Sequence, residues 1–151
     1  MKEINGDLIR MAMEGQFDVI IHGCNCYCQM GKGIALSIKD KFPEAYKADC
    51  ETKKAANEKL GTYSHAAVEH NGHAFTIVNA YTQHHWQGKG VKADYEAIRS
   101  VMRSVKADFT GKRIGYPLIG AGLAGGDWSI ISDIIKEELV GENHTLVIFS
   151  P

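Results

Sequence analysis

Three prolines, four cysteines and no excess of either charge are what this 151-residue chain has to offer where many proteins are rich. Long apolar runs are missing too. The longest stretches are about five residues, far from the roughly 20 a membrane helix needs. Lys and Arg number 17 against 18 Asp and Glu, for a net charge of −1, and the basic residues are scattered. That excludes the broad basic face of a general nucleic-acid binder. It leaves room for a small anion held by backbone N–H groups, which need no net charge. Behind Lys2 the opening Met1-Lys2-Glu3-Ile4-Asn5 has no apolar run of the kind a secretion signal carries. A cytoplasmic location with reduced thiols is the matching expectation. There is no repeat, low-complexity tract or linker, and the length suits one domain over residues 1–151 with one core.

What is present is ordinary globular composition, with 44% hydrophobic and 23% charged residues, in which strand-like and helix-like patterns alternate. Asp18–His22 is a short apolar run without alternation, as in a strand buried on both faces. Ile34, Ile38 and Phe42 recur at helical spacing, and helical character is expected again from Pro43 towards Lys59. Strands are predicted near Gly61–Val68 and Ala74–Tyr81, with Asn71-Gly72 as the turn of a hairpin. Tyr95, Ile98, Val101, Met102 and Val105 make one helix stripe. Arg113–Ile119 reads as a strand, a helix begins near Asp127 or Ser129, and Thr145–Phe149 closes the chain as a strand. Such alternation predicts a three-layer α/β/α fold whose central sheet is largely parallel and made mixed by the hairpin.

Sixteen glycines are the abundance that balances these shortages. Two clusters lie between a strand and a helix, where ligands bind in open α/β sheets. The first runs His22-Gly23-Cys24-Asn25-Cys26-Tyr27-Cys28-Gln29-Met30-Gly31-Lys32-Gly33-Ile34-Ala35. Gly31 and Gly33 permit close approach to the backbone, and the helix behind them points its free N–H groups at an anion. Asn25 suits sugar hydroxyls, being both donor and acceptor. A plain connecting turn remains the alternative. The second cluster is Ile119-Gly120-Ala121-Gly122-Leu123-Ala124-Gly125-Gly126, with four glycines in seven residues. Turn geometry alone does not account for it, and consecutive N–H groups could cradle a diphosphate. Neither cluster has P-loop or dinucleotide-fold spacing. A third motif, Gly6-Asp7-Leu8, offers either a helix cap or an acceptor for an exocyclic amine.

These motifs together resemble the macrodomain family across nearly the whole chain. The resemblance implies a mixed six-stranded sheet and an ADP-ribose cleft. In it Asp7 would contact adenine, with Gly6 and Leu8 of the same motif also among the ligand-binding residues. Asn25 and Gly31 to Ala35 would hold the distal ribose, Ile119 to Gly126 would wrap the diphosphate, and Gly23, Cys24 and Met30 would be further ligand-binding residues. Phe149 and Ser150 would flank the adenosine. The run Ile21-His22-Gly23-Cys24-Asn25-Cys26, with Trp128 after the second loop, looks like the ADP-ribose 1″-phosphate phosphatase branch. A related branch removes ADP-ribose from glutamate with a lysine and an aspartate. Gln83 and Ala124 stand at those positions here.

His22, expected at the end of its strand and facing the cleft, is a candidate acid, base or nucleophile. Asp127 is either a helix cap or its carboxylate helper. Lys32 could neutralise a terminal phosphate as a point charge. Trp86 lies in a polar aromatic loop that could cover a substrate. His22-x-Cys24-x-Cys26-x-Cys28 lacks the second pair a zinc site needs, so no metal and no cofactor are expected. The expected partner is ADP-ribose or a derivative, free or on a macromolecule, with no membrane and no general nucleic-acid binding. The expected activity is hydrolysis of the terminal phosphate. Reading without catalysis, or removal of ADP-ribose from protein or nucleic acid, are the alternatives.

Overall fold

A computed structural model describes residues 1–88 and 90–151. Chain order is β1 (Lys2–Gly6), α1 (Leu8–Met13), β2 (Val19–Asn25), α2 (Gly33–Lys41) and α3 (Pro43–Cys50). A 3-10 turn (Asn57–Lys59) follows, then β3 (Tyr63–His70), β4 (His73–Gln83), α4 (Tyr95–Asp108), β5 (Arg113–Tyr116), α5 (Trp128–Glu138) and β6 (Asn143–Phe149). The six strands form one sheet in the order β1-β6-β5-β2-β4-β3. All neighbours are parallel except the β3–β4 hairpin at the edge. The hairpin turns on Asn71 and Gly72, both at positive φ (49° and 82°), as a two-residue turn of matching twist requires.

Alternate residues of the central strands feed opposite cores. Val19, Ile21, Val78 and Ile114 pack with the stripe of α4 and with Ile131, Ile134 and Ile135 of α5. Ile20, Ile77 and Val147 pack with Leu8 and Ile9 of α1, Ile38 of α2 and Ala45 of α3. The expected three layers follow from this alternation, with two helices on one face and three on the other.

Three boundaries differ from the sequence pattern. Strand β2 continues past His22 to Asn25. Helix α3 stops at Cys50 instead of running towards Lys59, because the next segment is tied to a distant one. Ala55 N–H and the Lys59 ammonium both donate to the carbonyl of Cys26, at 2.6 and 3.1 Å. Strand β5 ends at Tyr116, since Pro117 has no N–H to continue the ladder.

Helix caps divide in a way that positions the site. Carboxylates of Asp7, Asp94 and Asp127 accept from N–H groups of the first turns of α1, α4 and α5. Helix α3 begins on Pro43. Helix α2 begins after Lys32 with no side-chain cap, so its leading N–H groups are left for another acceptor.

Candidate functional site

A cleft of about 940 Å³ opens at the carboxyl ends of the parallel strands. Its floor comes from Gly23, Cys24 and Asn25 of β2, Thr82 and Gln83 of β4, and Val147 and Phe149 of β6. Gly31–Ala35 forms one wall. Residues 117–120 and 122–124 form the other. The walls converge: a Cβ on Gly33, whose φ is +59°, would lie 3.9 Å from Leu123 Cδ1. Charged groups on the lining are Lys32 and Lys92, and among the described residues no carboxylate or imidazole lines the cleft. It is therefore an anion-receptive cavity.

Each wall presents backbone donors. The uncapped end of α2 supplies one set. In the second loop the N–H groups of Gly122, Leu123 and Ala124 find no acceptor among the described residues. This loop is closed on itself by Gly126 N–H donating to the Gly120 carbonyl at 2.7 Å. Gly120 and Gly125 have positive φ, and a Cβ on Gly126 would sit 2.6 Å from the Gly120 oxygen. Three of its four glycines are thus required by the turn, contrary to the expectation that turn geometry would not account for them. Gly122 is the exception: a Cβ there meets nothing, and the residue lines the cleft.

Asn25 lines the cleft but is largely occupied. Its Oδ1 accepts from Tyr27 N–H (2.9 Å) and Gln29 N–H (3.3 Å), and its Nδ2 donates to the Gln29 carbonyl (2.9 Å). One amide hydrogen remains for a ligand. The main work of Asn25 is to shape the loop after β2.

His22 is the clearest correction. It does not end the strand or face the cleft; it is 1% exposed in the middle of β2. Asn79 Nδ2 donates to the Ala45 carbonyl and Ser64 Oγ, so its Oδ1 is the acceptor for His22 Nε2–H at 2.7 Å. His22 Nδ1 is then the acceptor, with Cys24 Sγ 3.6 Å away. Burial holds the imidazole neutral, lowering its pKa to about 4 despite the bond to Asn79. Asp127 is equally displaced from its expected role. Its carboxylate accepts from Ser129 N–H at 2.9 Å as the cap of α5, and it neither lines the cleft nor meets His22.

Several other expected contacts lie off the lining. Asp7 caps α1 by accepting from Arg10 N–H (3.2 Å), Leu8 is buried in the core, and the Gly6 carbonyl accepts from Ser150 N–H (2.8 Å). Met30 is buried with Cys24, Cys26 and Tyr81. Ala121, Gly125 and Gly126 shape the second loop from behind. In contrast, Gly23, Cys24, Asn25, Gly31, Lys32, Gly33, Ile34, Ala35, Ile119, Gly120, Gly122, Leu123, Ala124 and Phe149 all line the cleft. Thr82, Gln29, Gln87, Lys92 and Leu118 were missed. For Thr82 the signal was available, since it ends a strand beside the first loop. Trp86, singled out in sequence, stands on the rim with its ring stacked on His85 at 6.0 Å.

The thiols have a structural setting. Burial raises the pKa of Cys24, Cys26 and Cys28, keeping them protonated. Beneath them Tyr81 donates to Asp49 Oδ1 at 2.7 Å, and the Lys59 ammonium lies 4.5 Å over the Tyr81 ring. No group of three or more His, Cys, Asp or Glu is placed to share a metal among the described residues.

The family model for the macro domain matches residues 21–135, which contain both loops and most of the floor. This chain belongs to the macro domain family. A relative from Enterobacteria phage T4, an uncharacterised 17.5 kDa protein, is 34% identical over 89% of this chain and 87% of its own. The DNA ADP-ribosyl glycohydrolase of Mycobacterium tuberculosis is 28% identical over 82% of this macro domain chain, which spans about a third (34%) of that enzyme's length. Shorter likeness links it to the ADP-ribose 1″-phosphate phosphatase of Ajellomyces capsulatus, 51% identical over 45 residues, or 30% of this chain and 16% of that one. Among solved structures, a Bacteroides thetaiotaomicron protein of unknown function superposes with a TM-score of 0.82 at 29% identity, covering 97% of this chain and 96% of its own. No helix among the described residues is long and apolar enough to cross a membrane.

Proposed function

We propose that this macro domain binds ADP-ribose, free or attached to a macromolecule, and hydrolyses the terminal phosphate of ADP-ribose 1″-phosphate. The observation that carries the binding claim is the pair of unsatisfied donor sets facing one another across the cleft, with Lys32 and Lys92 and no anionic group among the described lining residues. A diphosphate on Gly122–Ala124 directs one sugar towards Asn25 and Gly31–Ala35 and the other towards Leu118, Val147 and Phe149. The volume of about 940 Å³ is at the upper end for sites of small organic ligands.

The phosphatase step is supported by the local likeness to the fungal phosphatases and by Lys32, which can neutralise a phosphate beyond the distal ribose. It does not involve His22. The cleft contributes positioning and electrostatics, since no acid or base lines it among the described residues. That same observation favours the second reading, a reader that binds without turnover.

Calorimetric titration with ADP-ribose, followed by phosphate-release measurement on ADP-ribose 1″-phosphate, separates the outcomes. Saturable binding and enzyme-dependent phosphate release are expected. Binding without release leaves the reader, and no binding contradicts the assignment.

A further inference from the structure

Thr82 carries an unmet hydrogen bond at the cleft floor. It lines the cleft and is 1% exposed. Its Oγ1 is the buried side-chain polar atom for which the described residues provide no partner. Leaving such a hydroxyl unsatisfied is costly to a folded protein, so an orphan in a cavity wall calls for an explanation.

The backbone places it there deliberately. Cys24 pairs with Tyr81 and Asn25 with Gln83, so Thr82 is the extra residue of a β-bulge in β4. A bulge re-aims a side chain and is favoured beside functional sites. The Thr82 carbonyl is spoken for, accepting from Asp94 N–H at 2.8 Å. Opposite the hydroxyl stands Gly23, itself on the cleft lining. A Cβ at Gly23 would lie 2.8 Å from Thr82 Oγ1, 3.5 Å from Ile119 Cγ2 and 4.0 Å from Gly120 N. The hydroxyl therefore occupies the space that a side chain at residue 23 would need, where β2 meets the second loop. Gly120 N–H has no acceptor among the described residues either.

We infer that Thr82 is a ligand-binding residue whose hydroxyl is completed by an oxygen of ADP-ribose at the junction of the distal ribose and the diphosphate, met directly or through one held water. This rests on the binding role proposed above. The position follows from the floor: Thr82 stands against Gly23 of β2, where a Cβ would also lie 3.5 Å from Ile119 Cγ2 of the wall assigned to the diphosphate, and β2 runs on to Asn25 and the wall assigned to the distal ribose. Rotation about Cβ–Oγ1 turns the hydroxyl proton towards its acceptor. Binding then removes a defect that the free protein carries. Affinity and stability should consequently move in opposite directions when the hydroxyl is deleted, which a merely structural threonine would not do.

The experiment compares wild type, Thr82→Val and Thr82→Ser by calorimetry with ADP-ribose and AMP, and by thermal unfolding without ligand. Thr82→Val is expected to bind ADP-ribose about tenfold more weakly and to unfold at a higher temperature than wild type. Thr82→Ser should bind within about twofold of wild type. AMP, which lacks the distal ribose and second phosphate, should bind the wild type and Thr82→Val equally. Unchanged ADP-ribose affinity in Thr82→Val, equal losses for AMP, or a lower unfolding temperature overturns the inference while the binding role stands. Failure of the wild type to bind ADP-ribose overturns both.

Discussion

At His22 two demands meet: a strand that must be buried on both faces, and a side chain that carries an ionisable ring. The fold resolves them by holding the ring neutral against Asn79 Oδ1. In the unfolded chain the ring takes up a proton near pH 6.5, in the folded one only near pH 4. Between those values the unfolded state binds more protons, so stability is full above about pH 6.5 and falls as pH drops towards 4. His144, also lowered to about 4 by burial, acts in the same direction. Denaturant titrations from pH 7.5 to 4.5 should show this loss, and His22→Asn should flatten it by up to about 1.4 kcal/mol per pH unit. The same variant should match the wild type in ADP-ribose affinity and in the phosphate-release measurement. A loss of turnover with intact folding would restore a catalytic role to His22. Sequence placed this residue beside the right loop and gave it the wrong direction. Gly23, which sequence puts in the first glycine cluster, is a strand residue held against Thr82, where a Cβ would lie 2.8 Å from the hydroxyl oxygen.

Elements explain which motifs were legible. Helices α4 and α5 announced themselves by apolar stripes, and β3–β4 by its Asn-Gly turn, because these signals are local. The end of α3 was not legible, since it depends on Cys26, about thirty residues away. Asp127 shows the ambiguity of a good capping residue near a site: both roles use the same side chain, and only its place in the fold separates them. Its carboxylate bonds the first turn of α5 and stays off the cleft lining. Asp127→Ala should therefore lower unfolding stability by about 1 kcal/mol, the usual worth of a cap, with ADP-ribose affinity unchanged within about twofold. Urea unfolding and calorimetry on the same variant check both halves. A large affinity loss at unchanged stability would return Asp127 to the ligand. For α2 the missing cap is the informative feature, and it was visible in sequence as a glycine and a lysine where Ser, Thr or Asp would ordinarily stand.

On the scale of the molecule, the parallel strands end together and their following loops gather on one edge of the sheet. That is why two glycine clusters nearly ninety residues apart in sequence face each other, so that a Cβ on Gly33 would come within van der Waals contact of Leu123. A chain of net charge −1 can hold an anion because the donors are backbone groups aimed into one cavity, joined by Lys32 and Lys92. The central claim is that ADP-ribose lies between those two loops. Amide chemical shifts followed through a titration with ADP-ribose test it most directly. The largest changes should fall on Gly31–Ala35 and on Gly120 to Ala124, with Thr82 and Gly23 following and the β3–β4 turn at Asn71-Gly72 unmoved. Saturable binding whose shifts cluster away from both loops, or no shift on either loop at millimolar ligand, would contradict it.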